Sequence, residues 1–189
     1  MDHHHGLKPA KFGAVLGYGP GEVPVYSSDY DTADDDEFPN RQAYRSTLDG
    51  VYLGHKWQCV ELARRWLYLT HGYVFDDIAM AYDIFRLRQV RVIADGSFLP
   101  LQSFRNGVKR PPEPGALMIW DEGGEFEVTG HVAVVTEVGE TWVRCIEQNV
   151  EDTVWPAGQA WSRQLPMRRT AGGGFRVSCT YASGIIRGW

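Results

Sequence analysis

The chain of 189 residues is 43% hydrophobic and 23% charged, which is the composition of one globular domain with its own core. Its formal net charge of -5, from 19 Lys and Arg against 24 Asp and Glu, argues against nucleic acid as a partner. No apolar run reaches the roughly 18 residues of a membrane helix and no signal-peptide core is present, so we expect a cytoplasmic protein that binds no membrane.

The N-terminal part of the chain predicts a loose lead-in or tag remnant over residues 1–12, followed by a single domain over residues 13–189. The histidines at 3, 4 and 5 in the lead-in lack the fixed geometry of a metal site. An acidic run at 29–37 lacks the glycine and the glutamate of a calcium loop, so we expect a solvated loop, although it could attract a polyamine. We expect no metal and no cofactor, because neither a metal-ligand spacing nor a phosphate-binding loop is present.

Residues 59–70 place apolar side chains with the period of a helix, and Gly72 is a suitable residue to end it. Cys59 opens this helix. A thiol at a helix N-terminus lies at the positive end of the peptide dipoles, which favour the nucleophilic thiolate. The alternative is a small buried cysteine at the start of a core helix, because free cysteine is among the most buried residue types. A second helix is predicted over residues 76–87.

Downstream, β-rich runs predict strands at 116–120, 131–136 and 142–147, with further short strands after residue 155 and a glycine turn at 172–174. The second and third runs read as a hairpin. If its loop is odd and centred on Gly139, His131 lies opposite Glu147, with Cβ atoms roughly 5 Å apart. An even loop would instead place Gln148 opposite His131 and turn Glu147 away.

Cys59, His131 and Glu147 follow the chain order cysteine, histidine, acid, in which a base activates a thiol and a third group orients the base. On this hypothesis Glu147 stabilises the imidazolium of His131, and the imidazolium stabilises the thiolate. The backbone N–H of Cys59 is available at the helix start to meet a developing oxyanion. The Gln58 side chain is either a second oxyanion donor or an ordinary hydrogen-bonded loop residue.

Other residues compete for these roles. His55 is an alternative base, although we expect its loop to turn away from Cys59. Asn149 is an alternative to Glu147 as the group that orients the base. The remaining histidine and cysteines outside the lead-in are expected to be structural: His71, Cys145 and Cys179.

Several segments carry a family resemblance. They are GHKWQCVE at 54–61, TGHVA at 129–133 and EQNV at 147–150, with shorter stretches at 12–13, 26–30, 115–121 and 123–126. Together they resemble the amidase domain of glutathionylspermidine synthetase/amidase, a member of the CHAP group of papain-like amidohydrolases. The resemblance implies an α+β, papain-like CHAP fold over residues 13–189, in which the nucleophile helix packs on an antiparallel sheet. It also favours Cys59 as a nucleophile over a merely buried cysteine.

The resemblance implies a cysteine amidohydrolase that cleaves glutathionylspermidine to glutathione and spermidine. Cys59 would attack the amide carbonyl, His131 would protonate the leaving amine, and Glu147 would orient His131. Arg64 and Asn149 are candidate substrate-binding residues, and the alternative for Arg64 is a structural role. The family usually carries a C-terminal ATP-grasp synthetase domain that this sequence does not reach. Such a domain is therefore an expected partner, and no nucleotide or Mg²⁺ site is expected here.

Two other functions stay open at this stage. A CHAP peptidoglycan amidase or endopeptidase would use the same three residues on a cell-wall cross-link. A non-enzymatic redox-sensing or interaction module would use Cys59 only as an oxidisable thiol. Release of spermidine from glutathionylspermidine would distinguish the glutathionylspermidine amidase from both of these alternatives.

Overall fold

The fold is described for residues 8–180 and 184–189 of a computed structural model. It is a mixed structure, mostly sheet, and its α-helix begins at Cys59, where the sequence predicted a helix. Within these residues the helices are α1 (Cys59–His71) and two 3-10 helices, Tyr30–Thr32 and Ala81–Arg86. The strands are β1 (Val15–Gly19), β2 (Val23–Tyr26), β3 (Arg45–Leu48), β4 (Val51–His55), β5 (Tyr73–Val74), β6 (Gln89–Val92), β7 (Phe98–Pro100), β8 (Leu117–Trp120), β9 (His131–Val138), β10 (Trp142–Ile146), β11 (Arg163–Arg169), β12 (Phe175–Val177) and β13 (Ile186–Gly188).

The largest sheet has six strands in the order β12-β11-β10-β9-β8-β13, and its neighbouring strands pair antiparallel. Smaller antiparallel sheets join β1 with β2, β3 with β4, and β5 with β6 and β7. Val132 and Val134 of β9 pack in one apolar cluster with Leu62 of α1, whereas Ala133 and Val135 pack in a second cluster. Successive side chains of a strand point to opposite faces, so the sheet is buried on both sides at β9.

Helix α1 begins and ends where the sequence predicted. Gln58, just before it, has extended backbone angles, and the helix starts at Cys59. At its other end Gly72 takes a left-handed conformation with φ of 72°, and its N–H donates to the carbonyl of Tyr68 at 2.9 Å. Glycine adopts that conformation without the steric cost of a Cβ atom, which explains the stop. No helix of the described residues is long and apolar enough to span a bilayer.

The predicted lead-in lies partly in the described chain. Residues 1–7, with the three histidines, lie outside the described residues. Ala10 donates its N–H to the carbonyl of Asp152 at 2.7 Å and accepts the Ser27 hydroxyl at 2.7 Å, while Phe12 donates its N–H to Thr32 Oγ1 at 2.8 Å. These bonds tie residues 10 and 12 to the domain, and the boundary at residue 13 stays a prediction.

The second predicted helix, over 76–87, is wrong over its first half. Met80 is extended, and only Ala81–Arg86 forms a 3-10 helix. Two tertiary hydrogen bonds explain the difference, because they occupy backbone groups that a helix would use. The Phe75 carbonyl accepts Nε of Arg64 at 3.1 Å, and the Ala81 N–H donates to the carbonyl of Thr129 at 2.8 Å. Neither partner can be read from local periodicity.

The predicted hairpin register is also wrong. The register centred on Gly139 would pair Ala133 with Cys145, but the structure pairs Cys145 with Val135 and Val143 with Val138. The turn is displaced because Gly139 lies against the Trp142 ring and donates its N–H to the Trp142 carbonyl at 2.9 Å.

A β-bulge in the same hairpin restores the orientation that the wrong register had predicted. Near the turn the numbers of paired residues sum to 281, a register that would point Glu147 away from His131. The register shifts by one residue between Arg144 and Cys145, and the sum becomes 280. Because a one-residue slip exchanges the two faces of a strand, Glu147 then continues on the face of His131.

Candidate active site

Cys59 combines burial with stabilisation of its thiolate. It is the first residue of α1 and is 8% exposed. Burial raises the pKa of its thiol, but the charge and hydrogen bond of His131 and the backbone N–H groups of Val132 and Val60 outweigh that effect. The pKa of Cys59 therefore lies below the ordinary 9.0. A lowered pKa at a helix N-terminus is the setting of a reactive thiol.

His131 begins β9 and is 1% exposed. Its Nε2 lies 2.8 Å from Glu147 Oε2, which leaves Nδ1 as the ring nitrogen that faces Cys59. Phe126 stacks on the imidazole with ring centroids 4.5 Å apart, and Trp120 packs edge-on at 5.2 Å. The two aromatic rings fix the plane of the imidazole. Its hydrogen-bond partner is the carboxylate of Glu147, whereas the amide of Asn149 donates to Gln58, and the orienting role of Glu147 stays a prediction.

The charges of the three groups reinforce each other. Burial lowers the pKa of His131, but the Cys59 thiolate and the Glu147 carboxylate raise it to about 9. Burial raises the pKa of Glu147, but the hydrogen bond from His131 and the charge of Arg163 bring it below the ordinary 4.5. The shifts in pKa favour the ionised form of all three groups, a thiolate, an imidazolium and a carboxylate in sequence.

Arg163, the first residue of β11, extends this arrangement and was missed from the sequence. Its Nη2 donates to Glu147 Oε2 at 2.8 Å, the same oxygen that faces His131. The adjacent Ser162 hydroxyl accepts the backbone N–H of Glu147 at 2.7 Å. Pairing of β11 with β10 places Arg163 opposite Cys145 and so brings both groups to Glu147. No local signal identifies Arg163, because β11 was predicted only as one of several short C-terminal strands.

Gln58, which directly precedes Cys59, is hydrogen-bonded to Asn149. Asn149 Nδ2 donates to Gln58 Oε1 at 2.8 Å, and Gln58 Nε2 donates to the Tyr30 hydroxyl at 2.8 Å. The Tyr30 hydroxyl in turn donates to the carbonyl of Lys56 at 2.6 Å, and burial raises the pKa of Tyr30 to about 12. Tyr30 was also missed, because it lies in the acidic run that predicts a solvated loop. The amide of Gln58 is therefore held in place, and its oxyanion role stays a prediction.

Arg64 has contacts that favour its structural interpretation. It is 5% exposed, its Nε donates to the Phe75 carbonyl at 3.1 Å, and its Nη1 lies 3.5 Å from Asp77 Oδ1. These contacts tie α1 to the chain that follows β5. Arg64 is not among the described residues that line the cleft at Cys59, and substrate binding by Arg64 stays a prediction.

The other histidines and cysteines divide between cleft and scaffold. His55 ends β4 and lines the cleft with Cys59 instead of turning away, and burial and the charge of Arg41 lower its pKa. Its ring stacks on Tyr44 with centroids 5.1 Å apart. Three residues were expected to be structural. His71 lies in the last turn of α1, Cys145 is buried in β10, and Cys179 packs against the second core cluster.

A buried polar network holds helix α1 against the segment after β10. Glu61 is fully buried and accepts Nε of Arg65 at 2.7 Å, the hydroxyl of Ser46 at 2.9 Å and Nε2 of Gln148 at 3.1 Å. Gln148 Nε2 also lies 3.2 Å from the Gln58 carbonyl, and Gln148 Oε1 accepts Nη2 of Arg65 at 3.0 Å. Since Gln148 follows Glu147 directly, this network fixes the distance between α1 and the carboxylate.

Cys59 opens into a cleft of about 740 Å³. Charged and polar side chains line it together with Cys59, including Arg41, Arg45, Tyr52, His55, Asp77 and Thr129. A second cavity of about 450 Å³ is lined by Leu67, Leu101 and Trp189, among others, and its described lining includes none of the residues proposed for catalysis. The cleft at Cys59 is the larger of the two and contains a thiol with a lowered pKa, so it is the candidate site.

Comparison with known proteins identifies relatives of this chain. The glutathionylspermidine synthetase/amidase of Escherichia coli (strain K12), a bifunctional protein, is 48% identical over 180 residues, covering 95% of this chain and 29% of that protein. The trypanothione synthetase of Crithidia fasciculata is 38% identical over 160 residues, covering 84% of this chain and 23% of that protein. The glutathionylspermidine synthase of Crithidia fasciculata is 30% identical over 189 residues, covering 90% of this chain and 25% of that protein. This chain thus spans less than a third of the length of each relative.

Residues 50–149 match the CHAP domain. This segment covers more than half of the chain and includes Cys59, His131 and Glu147. The chain therefore belongs to the CHAP domain family.

Proposed function

We propose that this chain is a cysteine amidohydrolase that cleaves glutathionylspermidine at the amide between the glycine carboxyl of glutathione and an amine of spermidine. One observation carries the proposal. The Cys59 thiol contacts His131, whose Nε2 lies 2.8 Å from Glu147, at a cleft of about 740 Å³. The substrate is suggested by the name of the 48% identical relative, a glutathionylspermidine synthetase/amidase.

The acylation half of the reaction uses the three groups in order. The Cys59 thiolate attacks the glycine carbonyl carbon, and the carbonyl π electrons move to oxygen. As the intermediate collapses, the C–N bond breaks and His131 donates its Nδ1 proton to the leaving amine nitrogen. Spermidine departs and leaves a glutathionyl thioester on Cys59. Glu147 accepts the Nε2–H throughout, which keeps Nδ1 directed at the sulfur.

Deacylation reverses the proton transfers. His131, now neutral, takes a proton from water, and the resulting hydroxide attacks the thioester carbonyl. The C–S bond breaks, the thiolate of Cys59 is restored, and glutathione leaves with a free glycine carboxyl. The thioester is therefore hydrolysed without net loss of protons from the site.

The oxyanion of both steps needs donors near Cys59. The backbone N–H of Cys59 lies in the first turn of α1, where amide groups have no intrahelical acceptor. The second N–H of the Gln58 side-chain amide is our other candidate donor, because Tyr30 and Asn149 already fix that amide. Asn149 is exposed, and Arg64 pairs with Asp77, which lines the cleft; both are retained as candidate substrate-binding residues.

The remaining assignments complete this proposal. Residues 13–189 form the CHAP amidase domain, and its helix on an antiparallel sheet represents the papain-like arrangement of nucleophile and base. We place the activity in the cytoplasm, where a reducing environment keeps the three cysteines free. A synthetase domain of the kind named in the Escherichia coli relative is the proposed partner.

Mass-spectrometric detection of glutathione and spermidine from purified glutathionylspermidine tests the proposal. Wild type should release both in equal amounts, and Cys59→Ala should lower kcat by at least about 1,000-fold. Cys179→Ser is the matched control, because Cys179 forms no disulfide and a serine oxygen can still accept the Trp120 indole N–H that the sulfur accepts at 3.1 Å, so this variant should retain activity. Intact-mass measurement after rapid quenching should show the acyl adduct on Cys59.

Two outcomes would contradict the proposal. Turnover by Cys59→Ala at the wild-type rate would exclude the covalent mechanism. No release from glutathionylspermidine, together with clearing of purified cell wall, would identify a peptidoglycan amidase instead.

A further inference from the structure

The wall of the cleft beside the nucleophile is formed by the hairpin of β3 and β4. Arg45 of β3 is paired in register with His55 of β4, and three residues separate His55 from Cys59 along the chain. The guanidinium of Arg45 lies over the Tyr52 ring, 3.8 Å from its centroid. Arg41, just before the hairpin, lines the same cleft. Two guanidinium groups therefore share one wall of the cleft that contains Cys59.

Neither guanidinium has a carboxylate partner in the part of the chain that the structure describes. No carboxylate oxygen of those residues lies within ion-pair distance of Arg41 or Arg45, although acidic residues outnumber basic ones and the run at 29–37 is close in sequence. Asp77 is the one carboxylate among the described lining residues, and it pairs with Arg64 at 3.5 Å. The positive charges of Arg41 and Arg45 are therefore available to bind an anionic ligand.

Two further features of this wall favour the binding of an anion. Stacking on Tyr52 restricts the Arg45 side chain, so less conformational entropy is lost when its planar fork binds a carboxylate. Burial and the Arg41 charge keep the pKa of His55 below its ordinary 6.5, so His55 is neutral at pH 7 and adds an N–H donor without adding charge.

We propose that Arg41 and Arg45 bind the α-carboxylate of the γ-glutamyl residue and thereby set the direction in which the substrate enters the cleft. This inference rests on the proposed amidase function. A γ-linked glutamate keeps its α-carboxylate free, which an internal α-linked residue does not. The polyamine portion carries only ammonium groups, which the two guanidinium groups repel. The acyl portion is therefore drawn to the arginine wall, and the amine portion is directed away from it.

The inference predicts a coupling between two charges, one on the enzyme and one on the substrate. The assay compares glutathionylspermidine with the analogue in which the γ-glutamyl α-carboxylate is a carboxamide, which has the same scissile amide and the same ammonium groups but no carboxylate. Affinity is measured by calorimetry on the Cys59→Ala background, so the readout does not depend on turnover, and kcat/KM is measured with active enzyme. Arg86→Gln is the matched control, because Arg86 is an exposed arginine that pairs with Asp83 and does not line the cleft.

Replacing both arginines, Arg41→Gln with Arg45→Gln, should weaken the calorimetric affinity for glutathionylspermidine by about ten- to a hundred-fold. In active enzyme kcat/KM should fall by a similar factor, mainly because KM rises. The same pair of changes should alter binding of the carboxamide analogue by less than about two-fold, because the carboxylate is absent and the ammonium groups are unchanged. Arg45→Lys should recover only part of the loss, since lysine keeps the charge but not the planar fork. Arg86→Gln should behave as wild type with both substrates.

The outcomes separate this inference from the amidase proposal. Equal loss with both substrates, no loss with either, or no measurable binding of glutathionylspermidine would overturn the carboxylate site. Arginine-dependent binding in a protein that hydrolyses neither substrate would support the site and contradict the amidase function.

Discussion

At the scale of single residues, four groups form an alternating series of charges when the thiol ionises. The thiolate of Cys59, the imidazolium of His131, the carboxylate of Glu147 and the guanidinium of Arg163 sum to zero. Both cations approach the same carboxylate oxygen, each at 2.8 Å. An unbalanced charge in a buried site is costly, so Arg163 allows Glu147 to stay ionised while it orients His131.

The pH dependence of hydrolysis follows from two of these groups. Activity should rise as Cys59 loses its proton, at a pH below the ordinary 9.0 of a thiol. It should fall as pH passes about 9, where His131 loses the proton that the leaving amine requires. The raised pKa of His131 therefore keeps the acid present at neutral pH, and its loss defines the alkaline limb of the kcat/KM profile.

Arg163→Gln should move both limbs of this profile. Removing a positive charge makes the field at the site more negative, which raises the pKa of Cys59 and of His131, so both limbs shift to higher pH. We expect kcat to fall by about 10- to 100-fold, as for other groups that orient reacting residues through a second contact.

The control for this prediction is Arg144→Gln on the neighbouring strand, where the guanidinium pairs with the exposed Glu137. Its kcat/KM profile over pH 5 to about 10 should match that of wild type. A reduced kcat in Arg163→Gln with unmoved limbs would mean that Arg163 acts through packing alone.

The candidate site could be predicted from sequence only where chain order and residue type restrict the chemistry. A cysteine at a helix start, a histidine on a strand and a following acid suffice to suggest Cys59, His131 and Glu147 as a group. Arg163 and Tyr30 could not be found in this way, because each reaches the site from an element that tertiary packing brings there.

At the scale of elements, the β-bulge in the hairpin decides which face Glu147 occupies. A ladder without it would continue the register found at Val143 and Val138 and would point Glu147 away from His131. The sequence predicted the correct face for the wrong reason, since a turn centred on Gly139 and a displaced turn with one bulge give the same orientation. Turn geometry and bulges depend on side-chain packing, here Trp142 against Gly139, which alternation of residues does not encode.

The polar network around Gln148 should contribute strongly to stability. Gln148→Leu removes its hydrogen bonds to Glu61 and Arg65 and leaves those buried charged groups without that partner. We expect the free energy of unfolding, measured by urea denaturation, to fall by about 2–4 kcal/mol. Gln164→Leu is the control, because Gln164 is an exposed residue that bonds Arg144, and its effect should stay within about 0.5 kcal/mol. Equal destabilisation by the two variants would contradict a special role for the network.

At the scale of the whole molecule, a mixed fold and the span of α1 were predictable, but the arrangement of the sheets was not. Local periodicity identifies a strand and says nothing about its distant neighbours. The edge pairing of β13 with β8 joins the end of the chain to its middle, and the pairing of β11 with β10 delivers Arg163 to the site. Such long-range pairings depend on which strands can bury their faces together, a property of the complete domain.

The charge of the whole molecule leads to a prediction about substrate capture. The formal net charge is -5, and the carboxylates of Asp34, Asp35 and Asp36 are exposed, whereas glutathionylspermidine carries a net positive charge on its polyamine. Long-range attraction between opposite charges raises association rates and is screened by salt. We expect kcat/KM to fall several-fold between about 20 and about 300 mM NaCl, with kcat nearly constant, because screening weakens capture and leaves the buried chemistry unchanged.

The controls separate long-range attraction from effects of salt on the enzyme itself. The butylamide of glutathione has no ammonium group in its leaving amine, so its kcat/KM should depend less on NaCl. Converting the three exposed aspartates to asparagine should flatten the salt dependence of glutathionylspermidine toward that of the butylamide, with little effect on kcat. Identical salt dependence of the two substrates would show that the net charge of this domain does not guide the polyamine, and that capture depends only on contacts inside the cleft.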